Sequence, residues 1–247
     1  MLAAALAPAL PVALAIAPTL VPVPRNLAPL SGIPGSLRIP VAGTSRWSAS
    51  GWFHMRQTGS AVLGPGGTLG GSQAGARLRY RLLDGIAVSA RVYSPLRLQG
   101  AEAAIGIEWQ PSPHLPVHLL AERRQRIGRE GRSDFALMAY GGVSEQRLPA
   151  GLRLDAYAQA GLVGVRTRDP FVDGAARVST RIGPIAVGGG IWGGAQPGVS
   201  RLDFGPQASV RLDVGSTSLR VSADWRFRVA GNAAPASGPS LTIGTDF

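Results

Sequence analysis

Arginines spaced two residues apart are the side chains of this sequence best suited to chemistry. Arg77, Arg79 and Arg81 alternate with Leu78, Tyr80 and Leu82; Arg124 and Arg126 flank Gln125; Arg226 and Arg228 flank Phe227, with Arg220 earlier in the same alternation. A spacing of two puts side chains on one face of a strand, so each run lines a single surface with guanidinium. Acids recur on the matching faces: Glu102, Glu108, Glu122, Asp155, Asp203, Asp213 and Asp224. A planar guanidinium binds a carboxylate or phosphate through two donors at once. Two chemistries follow: ion-pair ladders between neighbouring strands, and anion contact by whatever arginine the acids leave over, as in anion-selective pores. With Arg91, Arg153, Arg177, Arg181, Arg201, Arg211 and Asp173 added by face, arginines outnumber acids fourteen to eight. The residues expected to contact anions are Arg77, Arg79, Arg81, Arg91, Arg124, Arg126, Arg220, Arg226 and Arg228.

Catalytic chemistry finds little material. His54, His114 and His118 are the only imidazoles, and no local motif joins one to a serine and an acid. There is no cysteine, no metal-ligand spacing and no dinucleotide fingerprint. The Gly-rich run 64–71 lacks the Lys-Ser/Thr and the helix that a phosphate loop needs. No catalytic residue, metal or cofactor is expected, and the chain reads as a non-enzyme. The net charge is +11 and every one of the 25 basic residues is Arg. Nucleic acid is not an expected partner, because the arginines are spread through strand-like segments and do not form one tail or one helix face.

The elements that must carry these faces are strands. With 34 Gly and 20 Pro in 247 residues, long helices are disfavoured. From about residue 45 the apolar period is two, and twelve strands are predicted: 45–57, 73–83, 86–96, 101–111, 117–128, 134–146, 151–166, 171–182, 185–196, 200–213, 217–229 and 238–247. Most have the length a tilted strand needs to cross a bilayer, about 9–11 residues. Tight links, Asp84-Gly85 and Gly183-Pro184 among them, alternate with connections that include the longest ones, 58–72 and 230–237. One face of each strand is apolar: Leu219, Val221, Ala223, Trp225, Phe227 and Val229 lie opposite the arginine face of their strand. Lipid outside, a polar lumen inside and short turns on the periplasmic side is the pattern of a closed antiparallel transmembrane β-barrel. Trp47, Trp109, Phe204, Trp225, Phe227 and Phe247 are placed to form interfacial girdles. Residues 1–44 form a Pro/Ala-rich irregular arm, either signal-like or a linker, ahead of a barrel domain at 45–247.

The terminal alternation of Leu241, Ile243 and Thr245, ending on Phe247, resembles the closing strand of Gram-negative outer-membrane β-barrels. In that family the strand is also the insertion signal. The resemblance implies that Leu241, Ile243 and Phe247 address the chain to the bacterial outer membrane through the barrel-assembly machinery. A second, narrower resemblance lies in Ala121-Glu122-Arg123-Arg124, Ile127-Gly128 and Gly131-Arg132-Ser133-Asp134-Phe135, which is similar to a strand-loop-strand in the C-terminal barrel of NfrA-type phage-adsorption proteins. That family is linked to surface-glycan export. The functions left open are a passive or export pore for an anionic solute or glycan, a translocator, anchor or phage/surface-receptor barrel, and an outer-membrane hydrolase.

Overall fold

The computed structural model describes residues 45–56, 71–96, 101–127, 133–214 and 217–246. The arm 1–44 and Phe247 lie outside the described residues. Twelve strands form: β1 (Trp47–Arg56), β2 (Gln73–Leu83), β3 (Ile86–Pro95), β4 (Glu102–Trp109), β5 (Val117–Arg126), β6 (Asp134–Arg147), β7 (Arg153–Val163), β8 (Asp169–Ile182), β9 (Ile185–Gln196), β10 (Val199–Val214), β11 (Thr217–Gly231) and β12 (Gly238–Asp246). Each pairs antiparallel with its sequence neighbours, and β1 pairs with β12 to close the barrel. The predicted strand set and closure are present, with ends shifted by a few residues.

Turn chemistry fixes one end. Asp84-Gly85 joins β2 to β3 with Gly85 at φ 75°, a backbone region open to Gly at little cost. Gly183-Pro184 joins β8 to β9 on the same side. The opposite, loop end carries the connections after β1, β3, β5, β7, β9 and β11.

The two faces are inverted relative to a water-soluble sheet. Ile105, Ile107, Leu137, Ile191, Phe204 and Trp225 point outward and are exposed, whereas Glu108, Glu122, Asp203, Arg56 and Arg226 point inward and are buried. Exposed apolar and buried charged surface is expected when the outer solvent is hydrocarbon. Trp47 and Tyr80 touch on the outside near the tight-turn end, ring centroids 4.6 Å apart. Phe204 and Phe227 do so toward the loop end, at 5.6 Å. Outward aromatics therefore stand near both ends, as interfacial belts would.

Aromatics also enter the interior, and glycine makes the room. Trp52 points inward from β1, directly across from Gly75 on β2. A Cβ added to Gly75 would lie 2.2 Å from the indole, so only glycine lets the ring lie flat on the wall.

Candidate functional site

The interior is filled unevenly. Inward residues toward the loop end are buried on every strand from β8 to β12 and on β1: Asp173, Trp192, Arg201, Arg226, Ser240 and His54 are examples. At the tight-turn end of β6–β12, inward residues are half-buried or exposed, among them Ser144, Arg181, Arg211 and Asp213. The β3–β5 wall is the exception, with Ala87, Glu108 and His118 buried even there. The result is a vestibule that opens at the tight-turn end along the β6–β12 side.

At the loop end, Asp203 on β10 accepts from Arg56 Nη1 at 2.8 Å and Arg201 Nε at 2.6 Å, with all three side chains almost fully buried. The same two arginines reach the β11–β12 connection. Arg56 donates to Ala236 O at 3.2 Å, and Arg201 to Pro235 O at 2.5 Å. Arg228 donates to Ala233 O at 2.6 Å. That connection is thereby pinned inside the rim, with Ala233 packed on Val199. Below it, Arg226 pairs with Asp224 at 3.3 Å and lies 4.4 Å from the Trp192 ring centroid, a cation–π contact.

On the β2–β6 wall, Glu108 accepts from Arg79 Nε at 2.7 Å, lies 3.0 Å from His118 Nδ1, and accepts from the Tyr140 hydroxyl. Arg77 crosses the lumen from β2 to lie 5.2 Å from the Tyr140 ring on β6. Arg91 holds Glu122 with two donors, at 2.6 and 3.0 Å, and Arg124 adds a third at 2.7 Å. Glu102 is buried within reach of the charge of Arg91. Both buried imidazoles have polar partners: His54 Nδ1 lies 2.8 Å from Thr242 Oγ1, and His118, beside Glu108, also stacks on Tyr140 at 5.2 Å.

In the vestibule, Glu145 on β6 meets four guanidiniums: Arg153 at 3.0 Å, Arg181 at 3.2 Å, Arg211 at 2.6 Å and Arg220 at 3.4 Å. Arg220 also reaches Asp155 at 3.1 Å. Since β6 lies four strands from β10 and five from β11 around the ring, the contacts of Glu145 with Arg211 and Arg220 span the lumen.

Apart from Phe247, which lies outside the described residues, the residues expected from sequence are placed as follows. Arg79, Arg91, Arg124, Arg220 and Arg226 sit in ion pairs with Glu108, Glu122, Asp155 and Asp224. Arg77 rests on an aromatic ring and Arg228 on a carbonyl. Arg81, Arg126 and Asp213 are exposed at the rims. Leu241 and Ile243 face outward and pair with Ala223 and Val221 on β11 and with Met55 and Phe53 on β1. Glu145 escaped the alternation because its parity in β6 points out. A register shift between Val143 and Gln146 turns it inward. An acid on an otherwise lipid-facing row is the signal that marks it. Among the described residues no group of His, Asp and Glu is placed to hold a metal.

No family model matches the chain, and no curated protein matches it. Among solved structures it is similar to the KdgM porin, over 81% of this chain and 98% of that one, with TM-score 0.44 and 11% identity. It is also similar to an outer membrane channel from Pseudomonas putida F1, over 87% of this chain and 99% of that one, with TM-score 0.41 and 13% identity. A third is Wzi, a carbohydrate-binding barrel of capsule assembly in Escherichia coli, over 71% of this chain and 51% of that one, with TM-score 0.34 and 10% identity.

Proposed function

We propose that this chain is an outer-membrane β-barrel that works as a narrow pore, entered by anions from the periplasmic, tight-turn side. The observation that carries the reading is the inverted barrel with an arginine-rich vestibule. Apolar side chains face out, and Arg153, Arg181, Arg211 and Arg220 face a water-accessible lumen with few acids to neutralise them. Fixed positive charge in a confined lumen raises the local anion concentration and excludes cations. The proposal includes insertion by the barrel-assembly machinery and contact with the lipid bilayer, a reading supported by Leu241 and Ile243 standing on the outer wall. The filled loop end makes the expected conductance small.

Planar-bilayer recording under a salt gradient tests this. The expected reversal potential has the sign of anion preference and moves toward zero in an Arg211→Ala/Arg220→Ala variant. Cation preference, or a potential indifferent to both arginines, refutes the pore reading.

The pinned β11–β12 connection supports a second reading, a closed anchor or surface-receptor barrel, to which the likeness with NfrA-type proteins would add phage or glycan contact. Absence of conductance in correctly folded protein favours it.

A further inference from the structure

We propose that the Glu145 cluster is an oxyanion site, filled in this state by the protein's own carboxylate, whose external ligand is a soluble dianion of the phosphate class. The inference rests on the vestibule being open to solutes, as in the function proposed above.

Charge balance is the first argument. Arg153, Arg181, Arg211 and Arg220 converge on Glu145, and Arg177 acts with Arg220 on Asp155. Around the cluster five guanidiniums stand with three carboxylates, those of Glu145, Asp155 and the inward Asp213 on β10, an excess of two positive charges. Arg211 and Arg220 are moreover directly opposed in the β10–β11 register. Like charges so placed repel, and the contacts of Glu145 with both, from across the lumen, relieve that repulsion. At Glu145 a single negative charge is shared by four guanidiniums. A phosphate dianion brings twice the charge and more acceptor oxygens, and it accepts paired guanidinium donors well.

Backbone strain is the second. Glu145 has φ 51°, a region costly for a residue with a side chain. Asp155 holds this bulge, accepting from the Glu145 amide at 3.3 Å and from Ser144 Oγ at 3.1 Å. The strand therefore departs from its alternation only here, and the departure delivers a carboxylate into the arginine cluster. The cluster is wet, with Arg153, Arg211 and Arg220 side chains 23–28% exposed, Arg181 48% and Glu145 25%. An incoming anion can exchange with Glu145 without entering the packed interior.

The test uses the full chain folded in phosphatidylcholine vesicles, with inorganic phosphate as probe and phenylglyoxal labelling of arginine read by mass spectrometry. Phosphate is expected to slow labelling of Arg181, Arg211 and Arg220 while leaving the rim residues Arg81 and Arg126 unchanged. In Glu145→Gln the phosphate concentration for half-protection should fall about five- to tenfold, since one competing half-exposed carboxylate is gone. Equal protection by chloride at matched ionic strength, or none by phosphate in the unaltered chain, overturns the site. The unaltered-chain result stands even if Glu145→Gln does not fold. Protection by phosphatidylglycerol vesicles without added phosphate assigns the cluster to a lipid headgroup and overturns the soluble ligand. None of these readouts requires conductance: a silent barrel that binds phosphate sinks only the pore, and a conducting one without protection sinks only this site.

Discussion

Replacing Asp203 with Asn tests whether the loop end of the barrel is packed protein or hydrated channel. The substitution keeps shape and one oxygen but removes the charge that both Arg56 and Arg201 contact, at 2.8 and 2.6 Å. Their side chains are 0% and 4% exposed, so water cannot take the place of the lost carboxylate. Breaking a buried ion pair from one side costs about 3–5 kcal/mol. Here the arginines retain Ala236 O and Pro235 O as acceptors, which puts the cost near the lower end, about 3 kcal/mol. That corresponds to roughly two orders of magnitude in the folded-to-unfolded ratio. Urea unfolding in lipid vesicles, followed by tryptophan fluorescence and by heat-modifiable gel migration, should show a lower midpoint at unchanged slope. Restoring neutrality with Arg56→Met, Arg201→Met and Asp203→Leu together should recover most of the loss, because an apolar isostere of a buried ion cluster is often no less stable. A loss below about 1 kcal/mol for Asp203→Asn would mean that solvent screens the site. The loop end would then be wet and the argument for a filled lumen would fail.

Three further outcomes are expected. Ile105→Arg, on the outward face midway along β4, should cost about 2–4 kcal/mol in a bilayer; a change within about 0.5 kcal/mol would indicate water outside the barrel. Gly205→Ala should destabilise by about 1–3 kcal/mol, because the new Cβ would lie 1.7 Å from Trp225 O unless β10 and β11 part; an unchanged unfolding midpoint would show that they part freely. Arg226→Lys keeps the charge near Asp224 but loses the planar stack on Trp192, so about 1 kcal/mol should be lost. A double-mutant cycle with Trp192→Leu should show coupling of that size, and additivity would dismiss the contact.

Much of the barrel was legible because alternation is a local property. The β11 row Leu219 to Val229 names its outer face without reference to any other strand, and Asp84-Gly85 marks a reversal by its own conformational preference. The ion pairs were legible only as faces. Which arginine meets which acid depends on register and on the distance across the lumen, so Arg79 with Glu108, two strands apart, and Arg220 with Asp155, four apart, could not be read from spacing. The inward aromatics were illegible for another reason: Trp52 lies flat because Gly75 faces it from the next strand, a fact of pairing. Glu145 was missed because one bulge reverses the parity on which the whole reading depends.

The uneven filling of the interior also shapes how the barrel would respond to voltage. A wet vestibule conducts, so its walls sit close to the potential of the tight-turn compartment. Most of an applied difference must then fall across the packed loop half, at about 2.3 kcal/mol per elementary charge per 100 mV over the full drop. Arg56, Asp203, Arg226 and Asp224 lie in that half, while Glu145 and its arginines lie outside it. The field therefore acts on the side chains that pin the β11–β12 connection and largely spares the cluster that would bind an anion.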